Sequence, residues 1–143
     1  MTTAGAGPEP VFVDTNAIIY AALPSFPWHA DAVARLTELE AVGAPLWISR
    51  HTLREYLSAL SRSSTYTPTI RMDALLADIP ALLARFQVVE DGPAVTTALM
   101  TLLASVNCSG KQVYDANIVA TMMTGGVRRV LTHNVGDFRR FSN

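Results

Sequence analysis

The sequence has little cysteine, no long apolar run and no leader-like N-terminus, and each absence excludes a class of protein. Its single cysteine, Cys108, has no partner for an internal disulfide. The longest uncharged segment, 92–110, contains a proline and several hydroxyl side chains, so it is not the roughly 20 apolar residues that a membrane span needs. The N-terminus lacks a basic segment followed by an apolar core. We therefore expect a cytoplasmic protein without a transmembrane helix.

A charge excess and the common cofactor motifs are also absent. The chain has 11 lysines and arginines against 12 aspartates and glutamates, a formal net charge of -1. Without an overall basic field, nucleic-acid binding would have to rest on a local patch or a metal ion. The glycine-rich motifs of nucleotide-binding proteins, the GxSxG motif of serine hydrolases and paired zinc ligands are missing. The composition neither supports nor excludes RNA as a partner.

The chain does have a large apolar fraction. Half of its 143 residues are hydrophobic and 16% are charged, which excludes disorder and fits one compact domain. Residues 1–10 are rich in glycine, alanine, proline and threonine, so we expect a flexible lead-in followed by a single domain over 11–143. The apolar surplus suggests an oligomer or a bound partner.

Short apolar runs alternate with longer segments of helical spacing along the chain. This alternation predicts an α/β fold, with a parallel sheet and helices on both of its faces. The segment Tyr114–Met123 is apolar almost all round, so we expect a helix buried on several sides. Strands are predicted at 11–13, 46–48, 87–89 and 129–132, and helices at 16–23, 28–42, from Ser49 or Thr52 to 60, 70–86 with a kink at Pro80, 93–106 and 114–123.

The first strand ends abruptly in an acid. Val11–Val13 is predicted to form a buried strand with Asp14 at its carboxyl end, which is where ligands bind in open α/β folds. The ordinary alternative is that Asp14 caps the following helix by accepting a backbone N–H. On the residues alone both interpretations stay open.

Two further acids lie on predicted helices. Glu55 is rotated by about 200° from Leu53, away from the apolar stripe, which is also what a solvated glutamate would show. Asp115 lies in line with the apolar Ile118 and Met122, where a buried carboxylate needs hydrogen bonds or a metal ion to offset its desolvation. Function and an ordinary structural role are both open for these acids.

The last strand is followed by a polar turn that contains Asn134 and Asp137. An Asx-type turn is the ordinary explanation of this pattern, and His133 reads as an exposed turn residue.

Four motifs in order resemble the PIN domain, and most closely the toxin nucleases of bacterial VapBC toxin-antitoxin pairs. They are VDTN around Asp14, REYL around Glu55, YDANIVA around Asp115 and VLTHNVGDF after the last strand. Each motif alone is weak, but the four together span the chain from Val11 to Phe138. One position departs from the fully acidic pattern, because Asn134 occupies a slot that is often aspartate.

The resemblance implies a fold and a set of site residues. The fold is a three-layer α/β/α sandwich whose central parallel sheet gathers acids around Mg²⁺ or Mn²⁺ at its strand ends. The implied metal ligands are Asp14, Glu55 and Asp115. Asp137 is implied as a further catalytic acid, and the implied auxiliary residues are Asn16, Thr132 and Asn134.

The resemblance also implies an activity and partners. The activity is metal-dependent endonucleolytic cleavage of single-stranded or loop RNA. The expected partners are a second copy of the chain and a small antitoxin that lays a helix on the segments 28–43 or 50–62. Candidate phosphate-binding residues, with ordinary solvated basic side chains as the equal alternative, are Arg50, Arg54 and Lys111.

Two rival functions remain at this point. A receiver-like signalling domain would need paired acids after the first strand and a lysine after the last, and neither motif supplies them. A PIN-like module that has lost catalysis and only binds RNA or protein is kept open by Asn134.

Overall fold

The computed structural model describes residues 7–142. The predicted flexible lead-in falls largely on residues 1–6, which lie outside the described residues, while residues 7–10 run without regular structure into the first strand. In the described part of the chain, no helix is long and apolar enough to cross a membrane.

Four strands alternate with helices in the predicted order. The strands are β1 (Val11–Val13), β2 (Leu46–Ser49), β3 (Gln87–Val89) and β4 (Arg129–Leu131). The helices are α1 (Thr15–Ala22), α2 (His29–Ala41), α3 (Arg50–Leu60), α4 (Met72–Arg85), α5 (Pro93–Ser105), α6 (Gln112–Gly125) and α7 (Val135–Phe138), followed by a 3₁₀ turn (Arg139–Phe141). Helix α6 begins two residues earlier than predicted, and the turn after β4 contains the short α7.

The four strands form one parallel sheet in the order β3-β2-β1-β4. Phe12 lies opposite Trp47 of β2 on one side and Val130 of β4 on the other. The chain builds the sheet outward from β1 to β3 and then returns to add β4 on the opposite side of β1. The strand order therefore reverses between β1 and β4, where the carboxyl ends of open parallel sheets form a ligand crevice.

Strand β1 packs on both faces of the sheet. Its three residues are 0–2% exposed. Val11 and Val13 join a core cluster with side chains of α1 to α4, whereas Phe12 joins Met122 of α6 on the other face. This alternation follows from the two-residue period of a strand and confirms the α/β/α sandwich.

Two capping side chains start their helices directly at the strand ends. Asp14 follows β1 and accepts a hydrogen bond from the backbone N–H of Thr15, the first residue of α1. Ser49 ends β2 and is the N-cap of α3, where it forms a capping box with Thr52. Because no loop separates strand from helix at either place, α1 and α3 both begin at the carboxyl edge of the sheet.

Helix α6 is less buried than predicted. Ala116, Ala120 and Met122 face the interior, but Tyr114 is 62% exposed and Met123 is 59% exposed. The expectation of burial on several sides was wrong for these two residues. The helix packs on the sheet and on α5 and leaves its remaining side open, and a mostly apolar segment does not distinguish that side from the packed ones.

The last turn of α6 packs closely on Trp47 of β2. A Cβ atom added to Gly125 would lie 2.7 Å from Cζ3 of the Trp47 ring. Gly125→Ala should therefore lower the free energy of unfolding by about 1–3 kcal/mol, because the partly buried Trp47 ring or the helix must shift. Gly136→Ala is the control, since a Cβ there would meet open space. Equal urea midpoints for the two variants would contradict this contact.

A hydrogen bond joins α3 to α4 behind the sheet. The buried Tyr56 hydroxyl donates to Oδ2 of Asp78 at 3.0 Å. Burial, the hydrogen bond and the charge of Asp78 together raise the pKa of Tyr56 to about 12.

The raised pKa of Tyr56 predicts how stability changes at alkaline pH. Its folded pKa exceeds the unfolded value, so its contribution is complete below pH about 10 and is lost as the pH rises towards 12. Tyr56→Phe should cost about 1 kcal/mol at pH 8 and should unfold with a flatter pH dependence above pH 10. Urea unfolding of both proteins between pH 8 and pH 11 measures the difference. Parallel profiles would show that Tyr56 does not titrate in this way.

Candidate active site

An open cavity of about 340 Å³ lies at the carboxyl edge of the sheet, beside the point where the strand order reverses. We call it the acidic cavity. The residues that line it include all four predicted catalytic acids and two of the predicted auxiliary residues: Asp14, Glu55, Asp115, Asp137, Asn16 and Asn134. The structure therefore brings together side chains from the end of β1, α3, α6 and the turn after β4, although the first and last of them are more than 100 residues apart in the sequence.

Asp14 is the most enclosed of these acids and is held on both oxygens. Oδ1 accepts the Thr15 N–H at 2.8 Å, and Oδ2 accepts the Thr132 hydroxyl at 2.9 Å and the Asn16 amide at 3.3 Å. Burial raises the pKa of Asp14, hydrogen bonds from Thr132 and Thr15 lower it, and the charge of Asp137 raises it again, leaving it above the ordinary value. Asp14 is thus both a helix cap and a cavity acid.

Asn16 and Thr132 organise the turn after β4, and Asn16 ties it to the start of α1. Oδ1 of Asn16 accepts the His133 N–H at 3.0 Å, and the Thr132 hydroxyl accepts the Asn134 N–H at 3.1 Å. Asn16 and Thr132 also both donate to Oδ2 of Asp14. This network fixes the carboxylate of Asp14 with respect to the turn that carries Asp137.

Glu55 lies half-buried on α3 and faces the cavity. Its Oε1 lies 2.8 Å from Nε2 of His51, one helical turn earlier. Burial raises the pKa of Glu55, the His51 contact lowers it, and the charges of Asp14 and Asp115 raise it. The rotation away from the apolar stripe that suggested a solvated glutamate instead directs this side chain into the cavity.

Asp115 and Asp137 complete the acidic wall. Burial raises the pKa of Asp115, the charges of Asp137 and Asp14 raise it further, and Arg140 lowers it. Asp137 is exposed, yet its charge acts on both Asp14 and Asp115. The charges of neighbouring acids therefore disfavour the ionised forms of Asp14, Glu55 and Asp115.

These oxygen donors suit a hydrated divalent cation better than a closed protein cage. Between residues 7 and 142, no three histidine, cysteine, aspartate or glutamate side chains form a ready-made ligand group. Mg²⁺ keeps several waters and typically takes one or two carboxylates together with substrate phosphates. Separated acids around an open cavity, with pKa values raised first by burial and then by the charges of neighbouring acids, fit that mode of binding.

The sequence interpretation missed Arg62, which also lines the acidic cavity. It lies just after the end of α3, and its Nε donates to the carbonyl oxygen of Ser58 at 3.1 Å. Glu55 and Ser58 share one face of α3, and Arg62 follows at i+7 from Glu55, just beyond the end of the helix. Helical spacing from Glu55 was the signal that would have identified Arg62.

The predicted phosphate-binding residues lie elsewhere, and in the described chain none of the three lines the acidic cavity. Arg50 makes a two-point ion pair with Glu90, at 2.7 and 3.0 Å. Arg54 lines a neighbouring cavity, and Lys111 is exposed immediately before α6.

Comparison with known families identifies a relationship over nearly the whole chain. The family model described as PIN domain matches residues 11–143. No curated protein sequence matches the chain significantly.

Solved structures share the fold at low sequence identity. The Mycobacterium tuberculosis toxin VapC20, described as cleaving the sarcin-ricin loop, is 20% identical with a TM-score of 0.61, over 84% of this chain and 86% of its own. Rickettsia felis VapBC2, bound to a fragment of promoter DNA, is 18% identical with a TM-score of 0.66, over 91% of each chain. A toxin-antitoxin complex from Klebsiella pneumoniae is 19% identical with a TM-score of 0.64, over 90% of each chain.

Because the cavity acids are partly buried and repel one another, we expect them to lower the stability of the fold when no cation is bound. In EDTA, Asp115→Asn should raise the melting temperature slightly, with a gain in stability of up to about 0.5 kcal/mol, because it removes a partly desolvated charge that neighbouring acids also repel. Asp73→Asn is the matched control. It should lower the melting temperature, because Arg71 pairs with Asp73 and lowers its pKa. A lower melting temperature for Asp115→Asn would contradict the repulsion.

Proposed function

This chain belongs to the PIN domain family, and on that premise we propose that it is a Mg²⁺- or Mn²⁺-dependent endoribonuclease, the toxin of a type II toxin-antitoxin pair, with residues 11–143 as one catalytic domain. One observation carries the proposal. Asp14, Glu55, Asp115 and Asp137 face a single open cavity at the point where the strand order reverses. Acids that repel one another are placed together at a cost in stability, which a bound cation offsets.

Asp14 and Asp115 are the proposed principal ligands of the cation. When bound, Mg²⁺ or Mn²⁺ would activate a water molecule for in-line attack on a phosphodiester and stabilise the charge on the leaving 3′ oxygen. Thr132 and Asn16 hold Asp14 in place by donating to its Oδ2. Such outer contacts orient the ligand and maintain its basicity.

Glu55 and Asp137 have supporting roles in this proposal. Glu55, held by His51, positions the attacking water or binds a second ion. Asp137 is the better candidate than Asn134 for the fourth acidic position, because its charge acts on both Asp14 and Asp115. Asn134 contributes to the site by donating its backbone N–H to the hydroxyl oxygen of Thr132.

The shape of the cavity supports single-stranded or loop RNA as the substrate. The cavity is open and lies at the sheet edge, and an unpaired backbone reaches a recessed site more readily than a duplex does. The guanidinium of Arg62 is placed to pair with a substrate phosphate. The products would carry 5′-phosphate and 3′-hydroxyl ends.

A protein partner is part of the proposal. The structural neighbours from Rickettsia felis and Klebsiella pneumoniae are toxin-antitoxin assemblies. Exposed apolar side chains on α4, Met72, Leu76 and Leu83, support a protein-covered surface. We propose a homodimer and a small antitoxin that docks on α2 or α3, with a cytoplasmic location that follows from this role.

RNA cleavage by the purified protein tests the proposed activity. The wild type should cut a mixed single-stranded RNA pool with Mg²⁺ or Mn²⁺ but not with EDTA, and leave 5′-phosphate ends. Asp14→Asn and Asp115→Asn should each lose at least about 100-fold in rate. Thr132→Val should lose about 10- to 100-fold, as is typical when a ligand loses its outer contact.

Asp31→Asn is the control for these variants, because it changes an exposed acid on α2 that pairs with Arg35. It should cut like the wild type. If the wild type binds RNA but does not cut it with either metal, the chain is a binding module and the nuclease proposal is wrong.

A further inference from the structure

A second polar cavity of about 220 Å³ lies next to the acidic cavity, and the proposed cleavage step assigns no ligand to it. We call it the Tyr114 cavity. Its lining includes His51 and Arg54 of α3, Asp91 after β3, and Tyr114 and Asn117 of α6. His51 contacts Glu55 at 2.8 Å, and Tyr114 directly precedes Asp115, so the two cavities share a wall.

Two aromatic rings form one side of the Tyr114 cavity. The rings of His51 and Tyr114 are parallel to within 5°, with centroids 5.8 Å apart. Tyr114 is 62% exposed, so much of its surface is open to a ligand. Exposed aromatic faces beside a nucleic-acid path are stacking surfaces for unpaired bases.

The polar groups of the cavity are arranged for hydrogen bonding to the edge of a base. The Asn117 amide donates to Oδ2 of Asp91 at 3.0 Å, which fixes that carboxylate on the cavity wall. Arg54 makes no ion pair with any side chain of residues 7–142, although it and Asp91 line the same cavity. Arg54 and Asp91 therefore line one cavity without forming an ion pair with each other.

Guanine matches this pair of groups better than the other bases do. Its O6 and N7 accept two hydrogen bonds from a guanidinium, and its N1–H and N2–H₂ donate two to a carboxylate. Adenine, cytosine and uracil each lack either the two adjacent donors or the two adjacent acceptors. The volume is below the range of drug-sized pockets, which suits a single base.

We propose that the Tyr114 cavity binds an unpaired guanine of the RNA, adjacent to the phosphate held at the acidic cavity. Tyr114 stacks on the base, Asp91 accepts from its N1–H and N2–H₂, and Arg54 donates to its O6 and N7. This inference rests on the proposed ribonuclease function and extends it to a preference for guanine next to the cut.

Nucleotide binding in EDTA tests the inference without requiring catalysis. NMR titration with 5′-GMP, 5′-AMP, 5′-CMP and 5′-UMP should show GMP bound most tightly. Tyr114→Ala should weaken GMP binding by about 5- to 100-fold. Tyr114→Phe should bind GMP like the wild type, because it keeps the stacking face. Asp91→Asn should abolish the preference for GMP over AMP, whereas Asp31→Asn should keep it. Equal binding of the four nucleotides, or no effect of Tyr114→Ala, would overturn the inference.

Sequencing of cleavage ends separates this inference from the proposed function. Wild-type products from a randomised RNA should be enriched in guanine at one fixed position beside the cut, and Asp91→Asn should lose that enrichment. Metal-dependent cleavage without any base preference would overturn the guanine site and leave the nuclease intact. If the wild type does not cleave at all, the proposed function fails, and the GMP titration alone decides the guanine site.

Discussion

The negative charge of Asp14, held in a largely enclosed position, is the constraint on which the rest of the structure depends. Enclosure disfavours the carboxylate, and the nearby Asp137 disfavours it further. The fold compensates with three donors, the Thr15 N–H, the Thr132 hydroxyl and the Asn16 amide. These donors also join β1, α1 and the turn after β4, so the group that stabilises the charge also fixes the geometry of the cavity.

The topology explains why the other acids meet Asp14. Placing β4 beside β1 brings Thr132 and Asp137 next to the end of the first strand, and the Ser49 cap starts α3 at the same edge of the sheet. Glu55 and Asp115 then reach the cavity from helices on opposite faces of the sheet. The structure thus places several like charges together where it could have neutralised them. That arrangement is a cost to folding and an advantage for binding a divalent cation.

The sheet and the acids could be predicted from sequence because their signals are local. The buried three-residue strand before it identified Asp14 as a site candidate. The order of the four motifs identified Glu55, Asp115 and Asp137. The features that the sequence did not predict depend on distant contacts. The ion pair of Arg50 with Glu90 joins residues 40 positions apart, and no local pattern indicates it. The exposure of Tyr114 follows from which side of α6 is left uncovered, and a mostly apolar segment does not encode that choice.

Anomalous diffraction from a crystal soaked in Mn²⁺ would show whether the acidic cavity is a divalent-cation site. We expect an anomalous peak inside the cavity, in contact with carboxylate oxygens of Asp14 and Asp115, and no such peak in Asp14→Asn crystals soaked in the same way. A peak at another surface with the cavity empty, or a peak in the cavity that persists in Asp14→Asn, would show that the acidic cavity is not the cation site.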